Sequence, residues 1–250
     1  MKRRGLVALG AALLPGAAMA QTVSDSTLSD SLTPGQRTEV LQLLRQALRE
    51  DPSILRDAMA SLEQSEQAER NSAQSAAISA RAEMLFRDAS DPVKGNPQGR
   101  VTFVEFFDAR CGYCKQLHPS MDQLLQREGD VRVVLKDLPI LGPSSVVASR
   151  ALLAAQKQNL YVPLYDALMR LREEPAEPVL RREAERVRID WTRLRRDMDD
   201  PSIQVRIARN LELARALDIQ GTPALIIGTT LVPGAVDLAE LQRLTAAARG

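Results

Sequence analysis

The sequence predicts an α/β fold with a helical block inserted between its strands and a helical arm in front of it. A strand, a helix and a second strand follow one another across residues 100–137, and this order predicts a right-handed βαβ unit. Residues 144–218 are almost entirely helical in pattern, and strand character returns only in ALIIGTTLV at residues 224–232. The 250 residues can therefore form one or two domains with a sizeable core.

Residues 1–20 have the pattern of a cleavable secretory signal peptide. Basic residues occupy positions 2–4, an apolar run follows at 6–14, and Ala18 and Ala20 give the small-residue cleavage signal. Neither this run nor any later one reaches the roughly 20 apolar residues that a bilayer-spanning helix needs. We therefore expect a periplasmic protein without a permanent membrane span.

The charge balance offers no basis for nucleic-acid binding. The whole chain has a formal net charge of +1, and loss of the three basic residues in the signal peptide changes it to −2. Most of the basic residues are arginines that lie among glutamates and aspartates along the predicted helices, which is typical of solvated helix faces. We expect no nucleic acid as a partner.

The predicted arm covers residues 33–90 and follows a polar, disordered lead-in at residues 21–32. Thr33, Pro34 and Gln36 give its helix start: a threonine N-cap, a proline at the first helical position and a glutamine that can complete a capping box. Apolar residues recur at helical spacing in the first half only, and the second half resembles a polar spacer helix. We expect the apolar face to be buried on the same arm of another subunit, although a helical hairpin docked on the main domain gives the same pattern.

The main domain is predicted to span residues 91–250. The segment 91–99, DPVKGNPQG, is rich in Pro, Gly and Asn and marks its boundary. The β-branched and aromatic residues of RVTFVEFFD, residues 100–108, predict a buried strand. A helix at about 112–127 and a second strand, VRVVLKD at residues 131–137, should follow it.

Both cysteines and the only histidine lie in FFDARCGYCKQLHP, residues 106–119. A structural disulfide between Cys111 and Cys114 closes so small a loop that it adds little stability. Cys111 falls instead at the predicted N-terminus of a helix, where unpaired N–H groups and the helix dipole favour a thiolate. Cys114 lies one turn farther and can displace a mixed disulfide at Cys111, so the spacing predicts a nucleophile and a resolving thiol.

Three neighbouring residues extend this hypothesis. Glu105 alternates with two phenylalanines on one face of the predicted strand, where burial raises its pKa and lets it accept the Cys114 proton; a solvent-facing glutamate is the alternative. Pro119 interrupts the helix and predicts a kink. His118 shares a helical stripe with Cys111 and Cys114, so it can tune the thiols, pack beside them, or join them in a metal site for Cu(I), which favours thiolate ligands.

The stretch VEFFDARCGYCKQLHP, together with GTPALIIG farther along, resembles the thioredoxin superfamily and, within it, the DsbA-like thiol-disulfide oxidoreductases. This resemblance implies a thioredoxin fold with an inserted helical domain and no organic cofactor. It implies that Pro223 follows a cis peptide bond and, with Thr222, binds substrate beside the C-G-Y-C. The inner residues Gly112 and Tyr113 are expected to contact substrate and to help set the redox poise. Glu105 matches the buried acid of the family.

The likeness extends through KDLPILGPSS and the N-terminal arm to the ScsC/Com1-like branch of the family. It implies a homotrimer or other homo-oligomer formed through residues 33–90 and disulfide isomerase or reductase activity on unfolded or misoxidised secreted proteins. It also implies a membrane thiol-disulfide reductase that keeps the thiols reduced. The match to the DsbA-like family as a whole makes Lys136, at the end of the second strand, the expected basic partner of Glu105. Two alternatives stay open: a DsbA-type dithiol oxidase with a membrane oxidase as partner, and a non-enzymatic Cu(I)-binding protein of copper tolerance.

Overall fold

The computed structural model describes residues 32–250. The predicted signal peptide and the predicted lead-in as far as residue 31 lie outside the described residues. Contacts within the chain divide it into two compact units, with the division between Gln64 and Ser65. No helix in residues 32–250 combines the length and the apolarity that crossing a membrane requires.

The first unit contains helix α1 (Pro34–Glu50) and the beginning of helix α2 (Ser53–Ser79). The predicted capping box is present: Thr33 Oγ1 accepts a hydrogen bond from the Gln36 backbone N–H, and the Gln36 side chain accepts one from the Thr33 N–H at 2.9 Å. None of the residues of α1 is buried. Large apolar side chains on both helices are exposed: Val40, Leu41, Leu43, Leu44, Ile54, Leu55, Met59 and Leu62.

The second unit holds the strands and the remaining helices of the described chain. After α2 come α3 (Ala82–Phe86), β1 (Val93–Gly95), β2 (Val101–Phe107), α4 (Gly112–Arg127) and β3 (Val131–Asp137). Five helices form the insertion: α5 (Pro143–Gln156), α6 (Tyr161–Met169), α7 (Glu177–Arg186), α8 (Trp191–Asp197) and α9 (Pro201–Ala216). The chain ends with β4 (Ala224–Ile227), β5 (Thr230–Pro233) and α10 (Leu238–Ala248).

The strands form one mixed sheet in the order β1-β3-β2-β4-β5. β2 and β3 are parallel and are joined by α4, which confirms the predicted βαβ unit, whereas the other neighbouring strands are antiparallel. The sequence does not predict β1, because its three residues lie in a segment whose Pro, Gly and Asn content indicates a boundary. The central place of β2 puts the loop that follows it in the middle of one end of the sheet.

Both faces of the sheet are covered. Side chains alternate between faces along β2, so Phe103 and Phe107 enter the larger core, which the insertion helices, α4 and α10 complete. Val104 faces the other way and packs in a second cluster with Ile78 of α2 and Leu85 of α3. This arrangement confirms the predicted α/β fold with a helical insertion.

Residues 65–90 group with the second unit, although the sequence assigns them to the arm. Ile78 is only 1% exposed, and the Ser75 hydroxyl donates a hydrogen bond to the carbonyl oxygen of Thr229 at 3.2 Å. The polar composition of this stretch conceals the packing, because a few apolar side chains are sufficient to fix the helix on the sheet. The second half of α2 is therefore part of the folded domain.

Candidate active site

The two cysteines lie at the start of α4, where the sequence places them. Cys111 is the N-cap residue and Cys114 belongs to the first turn. The carboxylate of Asp108 fixes the preceding loop, because it accepts hydrogen bonds from the backbone N–H of Arg110 at 2.8 Å and of Ile140 at 2.9 Å. Both cysteines are free thiols; Cys111 is 7% exposed and Cys114 is fully buried. Only the Cys111 sulfur is therefore accessible for the first contact with a partner protein.

The surroundings of Cys111 stabilise its thiolate. Its pKa is lowered to about 5, chiefly because the Cys114 thiol donates a hydrogen bond to it, while burial acts in the opposite direction. The Thr222 side chain and the backbone N–H groups of Cys114 and Tyr113 also donate to the thiolate. In the protonated form, the Cys111 thiol can donate to the Thr222 carbonyl oxygen at 3.1 Å. Cys111 is thus mostly ionised at neutral pH, as an attacking thiol needs to be.

Cys114 has the opposite character. Burial raises its pKa far above that of a free cysteine, and the hydrogen bond to Cys111 and the charge of Glu105 raise it further. The thiol therefore stays protonated until a base accepts its proton. The opposite pKa shifts of the two neighbouring thiols match the predicted division into a nucleophile and a resolving group.

Glu105 is the buried acid next to this pair. It lies in the middle of β2 and is 1% exposed, so the solvent-facing alternative is wrong. The Tyr165 hydroxyl lies 3.2 Å from both carboxylate oxygens of Glu105. Burial raises the pKa of Glu105 to about 7, and the Tyr165 hydrogen bond limits the rise. A carboxyl group that titrates near neutrality can both take and return a proton.

Lys94, and not Lys136, is the lysine whose charge acts on Glu105. Lys136 is in register with Phe106, so it lies on the opposite face of the sheet, where its ammonium group binds Asp91. Lys94 of β1 is in register with Val133 and lies on the same face as Glu105. The expectation for Lys136 is wrong because one position along a strand exchanges the two faces.

Lys94 forms a buried charged cluster beside Tyr165. Its ammonium nitrogen lies 5.3 Å from the Tyr165 ring centroid and pairs with the carboxylates of Asp122 and Asp166. The charge of Lys94 lowers the pKa of Glu105, and that of Asp122 raises it. The sequence gives no signal for this cluster, because its members come from β1, α4 and α6.

His118 belongs to this cluster and not to the thiols. Its Nε2 lies 2.9 Å from Asp166 Oδ1 and 3.3 Å from the Lys94 nitrogen. In residues 32–250, the side chains that could jointly hold a metal ion are His118, Asp122 and Asp166, with ligand atoms within 4.8 Å of one another. The ammonium of Lys94 already supplies a positive charge there, and the predicted set of His118 with both cysteines is not formed.

Thr222 and Pro223 lie beside Cys111, and the peptide bond between them is cis. The two inner residues of the C-G-Y-C are open to solvent, and the Tyr113 side chain is 68% exposed. A groove of about 500 Å³ starts at Thr222 and Pro223 and passes between β5 and the second half of α2. Helix α2 contributes Gln67, Asn71 and Gln74 to its lining. One end of the groove lies at Thr222, whose carbonyl oxygen is 3.1 Å from Cys111 Sγ. The sequence does not predict the part of α2 in this wall.

The domain that contains this site matches a described protein family. The family model described as the DSBA-like thioredoxin domain matches residues 102–246. A solved thioredoxin-like oxidoreductase from Silicibacter pomeroyi is 40% identical, with a TM-score of 0.65, over 67% of this chain and 96% of its own. Proteus mirabilis ScsC in a transitional conformation is 31% identical, with a TM-score of 0.64, over 88% of this chain and 98% of its own.

Some curated relatives are much longer proteins. The Na(+)/H(+) antiporter NhaA 3 of Salinispora tropica is 32% identical over 139 residues, which is 55% of this chain and 21% of the antiporter. The chain thus spans about a fifth of the length of that relative. The similarity concerns a single part of the larger protein.

Proposed function

This chain belongs to the DSBA-like thioredoxin family of thiol-disulfide oxidoreductases, and from that membership we propose that it is a periplasmic disulfide isomerase and reductase acting on secreted proteins. One observation carries the proposal: Cys111 has a pKa lowered to about 5, whereas the pKa of Cys114, one helical turn away, is raised. An ionised thiol at the surface and a protonated thiol behind it are what two-step disulfide exchange requires.

The first step is attack by the Cys111 thiolate on a substrate disulfide. A bond forms between Cys111 Sγ and one substrate sulfur, and the substrate disulfide breaks, so that the other sulfur leaves as a thiolate, which stays ionised or takes a proton from water. Extended substrate bound beside Thr222 and Pro223 places its sulfur next to Cys111. The enzyme and substrate are then joined by a mixed disulfide.

The second step decides between isomerisation and reduction. If the free substrate thiolate attacks another substrate disulfide, a later thiolate releases Cys111 unchanged and the substrate is rearranged. If Cys114 attacks Cys111 first, Glu105 accepts the Cys114 proton, the substrate leaves fully reduced, and two electrons have passed from the dithiol, which becomes a disulfide. The pKa of Glu105, about 7, suits this proton transfer at neutral pH.

The arm supports the isomerase assignment. The low pKa of Cys111 stabilises the reduced dithiol, which suits disulfide exchange in either direction, because isomerases and dithiol oxidases both use such a thiolate. The exposed apolar side chains of the first unit suit association with further copies of this chain, so we propose a homo-oligomer, such as a homotrimer, formed through the arm. A membrane thiol-disulfide reductase is the proposed source of electrons.

Replacement of Cys111 by Ser should abolish both insulin reduction and the repair of a scrambled disulfide substrate, because no thiolate remains to attack. The matched variant Cys114→Ser should keep the attack and accumulate a covalent mixed disulfide, visible by non-reducing electrophoresis. Retention of both activities by Cys111→Ser would falsify the mechanism.

Thiol trapping in acid-quenched cells distinguishes the proposed direction from its alternatives. We expect the protein to be recovered mostly as the dithiol. Recovery mostly as the disulfide would indicate a dithiol oxidase instead. Stoichiometric Cu(I) binding by the two cysteines with negligible disulfide exchange would indicate a copper-binding protein. His118 would not serve as a third copper ligand in this arrangement, because its Nε2 is directed towards Asp166.

A further inference from the structure

A second cleft begins at the redox centre and follows α4 away from it. Its volume is about 630 Å³, and Gly112, which adjoins Cys111, lies at its edge. One wall is the stripe of α4 that carries Lys115, His118 and Asp122, positions that share a helix face because they are three or four residues apart. The other wall consists of residues 169–172, at and after the end of α6.

This cleft is strongly basic. It is lined by four cationic side chains and one carboxylate, Asp122, which gives the lining a net charge of +3; the cations are Arg110, Lys115, Arg170 and Arg172. Asp122 already pairs with Arg170 at 3.3 Å, and Arg110 pairs with Glu174 at 3.2 Å. Neither Lys115 nor Arg172 forms a salt bridge with any residue in the described part of the chain, and Arg172 is exposed.

We propose that this cleft binds an acidic segment of the partner protein, adjacent in its sequence to the cysteine that reacts with Cys111. The inference rests on the proposed function and adds the chemical class of the preferred substrate. Cations that have no salt-bridge partner in a cleft focus the electrostatic field and attract carboxylates, which raises the encounter rate. Pro119 and Leu171 supply apolar surface for the rest of the segment.

The position of the cleft determines which part of the partner it contacts. The partner sulfur has to reach Cys111, beside which this cleft begins at Gly112 and the other groove begins at Thr222. A chain with its cysteine at Cys111 can therefore extend into the α4 cleft on one side of that cysteine. The Cys111 thiolate is negatively charged and by itself repels an acidic peptide. Faster reaction of an acidic peptide than of a basic one therefore requires cationic side chains near the thiolate.

The test uses the full mature chain, reduced, and two synthetic peptides that differ only in charge. Each peptide carries one cysteine as a mixed disulfide with neutral 2-mercaptoethanol, flanked by glutamates in one peptide and by lysines in the other. The rates of reaction are compared at low and high ionic strength. The neutral disulfide of 2-mercaptoethanol measures the reactivity of Cys111 without any charge preference.

At low ionic strength we expect the acidic peptide to react about tenfold faster than the basic one, with the ratio falling towards one in high salt. The variant Arg172→Glu should reduce this ratio at least threefold. The control Arg100→Glu makes the same charge change at an exposed arginine next to the start of β2, at the opposite end of that strand from Cys111, and should leave the ratio unchanged. Both variants should react normally with the neutral disulfide.

Equal rates for the two peptides, or equal effects of the two arginine variants, would overturn the inference about the acidic segment. The proposed function would remain intact in that case, provided that the protein reacts with the neutral disulfide. Failure of the unmodified protein to react with the neutral disulfide would instead overturn the proposed function, and this inference with it.

Discussion

At the scale of single residues, the proposed mechanism makes the pair formed by Glu105 and Tyr165 control when Cys114 can react. The carboxyl group lies in a site that disfavours its charge, and the tyrosine hydroxyl partly offsets that burial by donating a hydrogen bond. The balance leaves the pKa of Glu105 at about 7. Tyr165 therefore acts on the chemistry through Glu105, as a positioning residue.

The Tyr165→Phe variant should move the pH dependence of the second step to higher pH. Loss of the hydroxyl removes a hydrogen bond to the charged form, so the pKa of Glu105 rises and less carboxylate is present at neutral pH. We expect a displacement of about one pH unit, equivalent to about 1.4 kcal/mol. The measurement is the pH profile of the release of a substrate held covalently on Cys111.

Tyr161 provides a matched control on the same helix. It is also a buried tyrosine, but its hydroxyl donates to Asp137 at 2.7 Å instead of to Glu105. Tyr161→Phe should therefore leave the profile of the second step in place. An equal displacement in both variants would mean that general loosening of the core, and not the hydrogen bond to Glu105, is responsible.

Local sequence predicts the positions of the candidate reactive residues well, because these positions are close along the chain. Cys111 and Cys114 are one helical turn apart, and the alternation of β2 is sufficient to place Glu105 inside. Lys94 and Tyr165 are different, since each comes from a distant segment and meets Glu105 only through the register of β1 and the packing of α6. The face of Lys136 also depends on register, and there the prediction was wrong.

At the scale of elements, α2 changes character along its length. Its beginning carries exposed apolar side chains, while its end carries Ile78, which is 1% exposed against the sheet. Sequence periodicity detects the first part and underestimates the second, because one or two buried residues do not form an apolar stripe. The groove beside Pro223 depends on this second part, so the helix end contributes to the site as well as to the core.

Ile78→Ala should therefore destabilise the second unit by about 2–5 kcal/mol, the usual cost of a large cavity in a packed core. Val205→Ala on α9 is the control, because Val205 is 57% exposed and a surface change of this kind is expected to cost less than about 0.5 kcal/mol. Urea unfolding of both variants measures the difference. Similar unfolding midpoints would show that the end of α2 is not fixed on the sheet in solution.

At the scale of the whole molecule, the two units have different surfaces. The second unit buries its apolar residues in two clusters, whereas helices of the first unit expose theirs. Exposed apolar side chains in this number indicate an interaction surface, and a second copy of the arm offers a matching one. The predicted role of the arm in assembly stays a prediction until it is measured.

Removal of residues 33–64 should convert a homo-oligomer into a monomer in light scattering, since these residues carry the exposed apolar side chains. The deletion ends at residue 64 because the following residues pack with the second unit.

In the intact chain, Leu43→Glu should also shift the equilibrium towards the monomer. Leu43 is 66% exposed, and the glutamate would bring a charge into the proposed contact between subunits. Insulin reduction should persist in both variants. A monomeric mass for the unaltered chain would exclude assembly through the arm.

The outermost strands of the sheet are short, and this has a consequence for the proposed exchange of disulfides with unfolded chains. In the described part of the chain β1 has three residues and β5 has four, and they end at Gly95 and Pro233. A long, flat edge would present free N–H and C=O groups as a template for aggregation with a client polypeptide. Edges this short, one ended by a proline, offer few such groups, so a client can exchange its disulfides here without adding itself to the sheet as a growing strand.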